Sequence, residues 1–166
     1  MPGTPILTNI ELNMKSLIES ILSKNGYHFD WSSVNEEDLA KAIFPCAMIY
    51  LDPEETNLDN EQAGGAHAGS YLNRVNFRIH VVGKLDLETK NPVFEANTVL
   101  TKALDDLKKL FGINYSINDY ADSFMYVRSE RIRKLNGDIF IPSELDTFWV
   151  CQYMQLRNSP DLRTCT

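Results

Sequence analysis

Between Tyr71 and Lys84 the chain reads YLNRVNFRIHVVGK, in which Val75, Phe77, Ile79 and Val81 fall two apart and Arg74, Asn76, Arg78 and His80 fill the positions between. That alternation predicts a long strand with one face buried. The periodicity changes upstream of it. From Asn9 onward, Ile10, Met14, Leu17, Ile18, Ile21 and Leu22 recur at three- and four-residue steps, which predicts an amphipathic helix ending at Asn25-Gly26. Tyr27, Phe29 and Trp31 then alternate in a short extended piece, and Ser32 or Ser33 is placed to cap an acidic turn at Glu36, Glu37 and Asp38. Pro45 opens the uncharged run CAMIYL, compatible with a central strand.

Downstream, Asn91-Pro92 marks a helix start, and Val93, Ala96, Leu100, Ala103, Leu104, Leu107, Leu110 and Phe111 line one face of the predicted helix. Asp105, Asp106, Lys108 and Lys109 sit off that face, and Gly112 stops the helix. INYSINDYADS reads as a loop and FMYVRSERIRKL as a strand, followed by the turn Asn136-Gly137 and the short return DIFIP. In TFWVCQYMQL, Phe148, Val150 and Met154 alternate with Trp149, Cys151 and Tyr153, a strand apolar on both faces. Both of its faces are expected to be covered, one of them by another subunit. The order helix, strand, long loop, strand, helix, strand, strand predicts an α+β fold: an about four-stranded, mainly antiparallel sheet with two principal helices on one face and a long hairpin loop. The whole chain, 1–166, is expected to be one domain with a core over about 9–157 and loose ends at 1–8 and 158–166.

Charge singles out two regions. Asp52, Glu54, Glu55, Asp59 and Glu61 crowd the connection between the first two strands, no Lys or Arg occurs between Lys41 and Arg74, and the small-residue tract Ala63 to Ser70 contains His67. A long loop of this kind inside a compact domain is expected to be ordered by a partner. The second region is the basic cluster Arg128, Arg131, Arg133 and Lys134. On a strand, Arg131 and Arg133 point one way, while Arg128 and Lys134 point the other way with Glu130. Such a cluster either protects an edge strand from aggregation or meets the acidic loop of a neighbouring copy, head to tail. The candidate contact residues are therefore Glu54, Glu55, Asp59, Glu61 and His67 in the loop, Arg74, Arg78 and His80 on the strand that follows, and the basic cluster.

The chain has 166 residues, 43% hydrophobic and 23% charged, with no apolar run approaching a membrane span. Its formal charge of -7 argues against a general affinity for nucleic acid or anionic lipid. The opening MPGTPILTNIEL lacks the pattern of a secretory signal, so a cytoplasmic protein is expected. Cys46, Cys151 and Cys165 are odd in number and far apart, which predicts free thiols and neither a disulfide framework nor a zinc site. His28, His67 and His80 have no metal-ligand spacing, and GGAHAGS runs into a strand instead of a helix N-terminus, unlike a phosphate cradle. The acidic stretch misses the EF-hand spacing, and no G-x-S-x-G elbow is present. No catalytic residue, metal site or cofactor is expected. Two rival classes are a small cytoplasmic enzyme using His80 with acidic residues, and a monomeric adaptor whose Gly-rich loop closes on a protein.

The segments PCAMIYLD and NRVNFRIHVVG, the helix EANTVLTKALDDLKKLFG and the closing TFWVCQYMQL stand in an order that resembles the tail terminator and tail completion proteins of tailed bacteriophages, over about Ile10 to Leu156. The match is one of pattern and spacing. The resemblance implies a structural virion protein without catalytic residues, assembled in the bacterial cytoplasm into a ring, expected to be hexameric. Such a ring caps the tail tube and joins it, through connector proteins, to the head. It also implies long loops that reach a neighbour or the tube, and a negative lumen through which DNA passes without specific binding. The chain departs from that pattern in its extra length from YHFDW to Phe44 and in the size of its acidic loop.

Overall fold

A computed structural model describes residues 5–51, 61–62, 70–83 and 88–156. In chain order the elements are α1 (Ile6–Glu19), β1 (Ser32–Ser33), β2 (Cys46–Leu51), β3 (Glu61–Gln62), β4 (Ser70–Val82), α2 (Pro92–Ile113), β5 (Ser123–Asn136) and β6 (Ile139–Leu156), with 3-10 turns at Ser23–Asn25 and Glu36–Lys41. The fold is α+β. The sheet runs β1-β2-β4-β6-β5, and β3 pairs with β4 beside this path.

This corrects the expected four strands in two ways. β1 is parallel to β2 and only two residues long, too short to leave an alternation in the sequence. Ser32 and Ser33 are thus strand residues, and Asn35 precedes the acidic turn without a side-chain cap bond. The second correction joins DIFIP to TFWVCQYMQL as one strand of 18 residues. Pro142 predicts an interruption because it lacks an N–H. A register shift between Ile132 and Arg133 takes up Ser143 as an extra residue, and the pairing continues on both sides of it.

Helix α1 begins at Ile6, earlier than the pattern from Asn9 indicates, and buries Ile6, Ile10, Met14, Leu17 and Ile18. It ends at Glu19, where the Ser20 hydroxyl bonds the Leu17 carbonyl at 2.6 Å. Gly26 closes the following 3-10 turn at φ +82, the left-handed conformation that glycine adopts without strain. Helix α2 buries Ala96, Leu100, Ala103, Asp106, Leu107, Leu110 and Phe111 and runs one residue past Gly112. Val93, expected on the buried face, is 36% exposed.

Both helices cover the same side of the sheet. Val75, Phe77, Ile79 and Val81 of β4 form one floor of the core with Leu145, Trp149, Cys151 and Tyr153 of β6. The Trp149 ring stacks on Phe124 at 5.2 Å and meets Phe111 of α2 edge-on at 5.1 Å, so one aromatic cluster ties α2 to the β5–β6 hairpin. Each large side chain buried here contributes about 1.5–3 kcal/mol. The β5–β6 hairpin turns through Gly137 at φ +60, as Asn136-Gly137 predicts. Among the described residues no helix is long and apolar enough to cross a membrane.

Candidate functional site

The alternation that buries Val75 to Val81 sends Arg74, Asn76, Arg78 and His80 to the opposite, outer face of the sheet. Antiparallel pairing then sets Arg78 opposite Phe148, His80 opposite Asp146 and Val82 opposite Glu144. Arg78 and His80, two apart on β4, thereby meet an acidic pair two apart on β6. His80 Nδ1 lies 2.6 Å from Asp146 Oδ1, and its Nε2 lies 3.3 Å from Glu144 Oε2. Arg78 reaches Asp146 Oδ2 at 3.7 Å and covers the Tyr50 ring at 4.8 Å, while Lys134 pairs with Glu144.

Tyr50 extends this network to the acidic turn, donating to Glu36 Oε1 at 2.7 Å. Burial, and then the Glu36 carboxylate holding the proton, push its phenol up to about 12. A cleft of about 370 Å³ opens between the turn and the sheet, lined by Glu36, Leu39, Met48, Tyr50, Arg78 and His80. Both nitrogens of His80 face carboxylate oxygens, so neither is turned toward the cleft as an unengaged base.

A second cleft, of about 190 Å³, lies higher on the same face. Val127, Phe148 and Val150 line it together with Arg74, Asn76 and Arg128. Its shape depends on a bulge in β5: Tyr126 pairs with Trp149 and Arg128 with Phe148, leaving Val127 as the extra residue. In an unbroken strand Phe124, Tyr126 and Arg128 share one face. The bulge keeps the two aromatics in the core and turns Arg128 outward, where its guanidinium sits 4.0 Å over the Phe148 ring and pairs with Glu130.

The structure divides the predicted contact residues. Arg74, Arg78, His80, Arg128 and Lys134 share the outer face. Arg131 and Arg133 share the other side of β5, as the alternation requires, and Arg131 is held there by helix α2 through Asn97 at 3.0 Å and Thr101 at 2.8 Å. Arg133 is exposed opposite Pro142 near the hairpin end. Glu54, Glu55, Asp59 and His67 lie outside the described residues; the backbone of Glu61 pairs with Leu72, and its side chain lies outside them.

Sequence reasoning missed Tyr50, Glu36, Glu144 and Asp146. The signal for the last two was Glu144-x-Asp146 two residues ahead of the apolar face begun by Phe148, which becomes meaningful only once the register with Arg78-x-His80 is known. Asp106, expected off the apolar face of α2, is instead buried on it, three residues after Ala103 and four before Leu110. Among the described residues no group of three His, Cys, Asp or Glu converges as a metal site requires. No family model matches the chain, and no curated protein matches it.

Proposed function

We propose that the chain is a ring-forming structural protein of a tailed bacteriophage, a tail terminator or neck component that caps the tail tube and joins it to the head. The observation that carries this reading is the one-sided construction of the sheet. Both long helices lie on one face; the other presents an ion network and an apolar cleft beside β5, an edge strand of 14 residues with Met125, Val127 and Leu135 more than half exposed. A face so equipped fits a surface that is completed by neighbours in an assembly. The element order, a helix and hairpin followed by a second helix and hairpin, agrees with the tail-protein resemblance, and the formal charge of -7 suits a ring that lets DNA slide through. The engagement of both His80 nitrogens by carboxylates favours a structural role for that residue over a catalytic one.

Mass measurement of the purified protein in solution, with negative-stain images of the protein alone and mixed with tail tubes, tests the proposal. Rings seated on tube ends are the expected result. A chain that stays monomeric at high concentration and never associates with tubes or connectors overturns it.

A further inference from the structure

The two ends of the sheet carry complementary surfaces. At the β5 end, Val127, Phe148 and Val150 give the outer cleft an apolar floor, with Arg74 beside it and Arg128 lying over the Phe148 ring and paired with Glu130. Its volume of about 190 Å³ corresponds to roughly six water molecules, enough for one apolar side chain. At the β1–β2 end, the segment from Asn35 to Phe44 projects Glu37 and Asp38 into solvent and exposes Ile43 by 64% and Phe44 by 38%. That segment is fixed in place. Glu36 is held by Tyr50, the Ser32 hydroxyl bonds the Ile43 carbonyl at 2.9 Å, and the Val34 N–H bonds Ala47 O at 3.0 Å. Lys41 is its one base, against three acids. Apolar groups flanked by acids therefore sit at one edge, and an apolar cleft flanked by arginines sits toward the other.

We propose that the Arg74–Arg128 cleft of one copy receives the Glu37–Phe44 segment of a second copy. Ile43 or Phe44 fills the apolar floor, and Glu37 and Asp38 face Arg74 and Arg128. The two patches differ and lie toward opposite ends of the strand order β1-β2-β4-β6-β5, so the contact is head-to-tail and repeats from copy to copy. Charge opposition selects the register and rejects like-edge pairing, while the apolar contact supplies the affinity. This placement rests on the ring reading for its biological setting, but it specifies which surfaces meet. It assigns the neighbour contact to Glu37 and Asp38, in a segment anchored to the sheet.

Two charge-reversed proteins test it, one carrying Arg74→Glu and Arg128→Glu, the other Glu37→Lys and Asp38→Lys. All four side chains are exposed, and melting curves check that each variant keeps the wild-type fold. Each variant alone is expected to associate at least about tenfold more weakly than wild type, and an equimolar mixture to regain association, because every contact between unlike copies again joins opposite charges. Analytical ultracentrifugation reads all three samples beside wild type. Wild-type rings unaffected by either reversal overturn this contact and leave the ring reading standing. Wild-type association that stops at dimers, yet is lost in each variant and regained in the mixture, keeps the pairing of these two surfaces as a reciprocal dimer and overturns both its head-to-tail repetition and the ring. A wild type that stays monomeric overturns this contact, and the ring reading falls with it when the chain also never associates with tubes or connectors. Loss in each variant without recovery in the mixture overturns the pairing of these two surfaces.

Discussion

Trp31 Nε1 donates a hydrogen bond to Asp106 Oδ2 at 3.1 Å, joining the segment after α1 to the buried side of α2 across 75 residues of sequence. The same carboxylate accepts the His28 N–H at 2.8 Å and the Phe29 N–H at 3.2 Å, while Lys109, one turn on, reaches Gly26 O at 2.8 Å. A carboxylate only 2% exposed is tolerable because these three donors replace the water it has lost. It also gives acceptors to the backbone N–H groups of His28 and Phe29, while the Trp31 N–H goes to Ile21 O at 3.0 Å.

Replacing Asp106 by Ala takes the acceptor from the buried Trp31 indole N–H and from the half-buried N–H groups of His28 and Phe29. A loss of about 2–4 kcal/mol is expected from urea unfolding, with Trp31→Phe costing less because the two backbone bonds remain. A red shift of tryptophan emission in the Asp106→Ala protein would report the opened segment. A change under about 0.5 kcal/mol refutes the role given to this carboxylate.

The His80 network predicts unequal costs for its two acids. Asp146 meets His80 at 2.6 Å and also serves Arg78, whereas Glu144, its side chain as little exposed, meets His80 at the longer 3.3 Å and shares its second contact with Lys134, which is 63% exposed. Asp146→Ala is expected to cost about 1–3 kcal/mol and Glu144→Ala less than about 1 kcal/mol. Equal effects in denaturant titrations contradict the arrangement.

Tyr50 gives a pH dependence at the alkaline end. Its phenol is raised from the ordinary 10.0 to about 12, so folding favours the protonated form. The corresponding stability is complete below pH 10.0 and declines as pH rises through about 12. Burial raises Tyr27 and Tyr153 as well, so the Tyr50 share is isolated by subtracting the phenolate absorbance titration of Tyr50→Phe from that of wild type. A difference curve centred near 10.0 instead of 12 refutes the Glu36 contact.

The bulge at Val127 yields a prediction about deletions. Removing Val127 brings Arg128 directly after Tyr126 without turning any other β5 side chain over, since their partners Phe148 and Trp149 are already adjacent. A folded, cooperatively melting protein is expected. Deleting Ile79 from the central, unbulged β4 inverts every side chain on one side of the cut and is expected to abolish folding. Comparable near-ultraviolet spectra for the two deletions contradict the assigned register.

The core strands and α2 were legible because their order is local. Val75 to Val81 alternate, Ala96 to Leu110 recur with the helical period, and Asn136-Gly137 names its own turn, so each element follows from neighbours in sequence. The opposed directions of Arg131 and Arg128 could be read the same way. The chain by itself thereby determined an α+β domain with helices on one side of its sheet. What it could not determine depends on partners far along the chain. The sixfold span of strands rests on a two-residue β1 that exists only because β2 lies beside it, and the continuity of β6 past Pro142 rests on a bulge that its partner β5 accommodates. Asp106 is buried because Trp31 folds onto it, and His80 is locked because the β4–β6 register sets Asp146 opposite it. Local periodicity decides which side of an element faces inward; only tertiary packing decides which polar side chains meet there, because their pairing energy is realised across separations that no local pattern records.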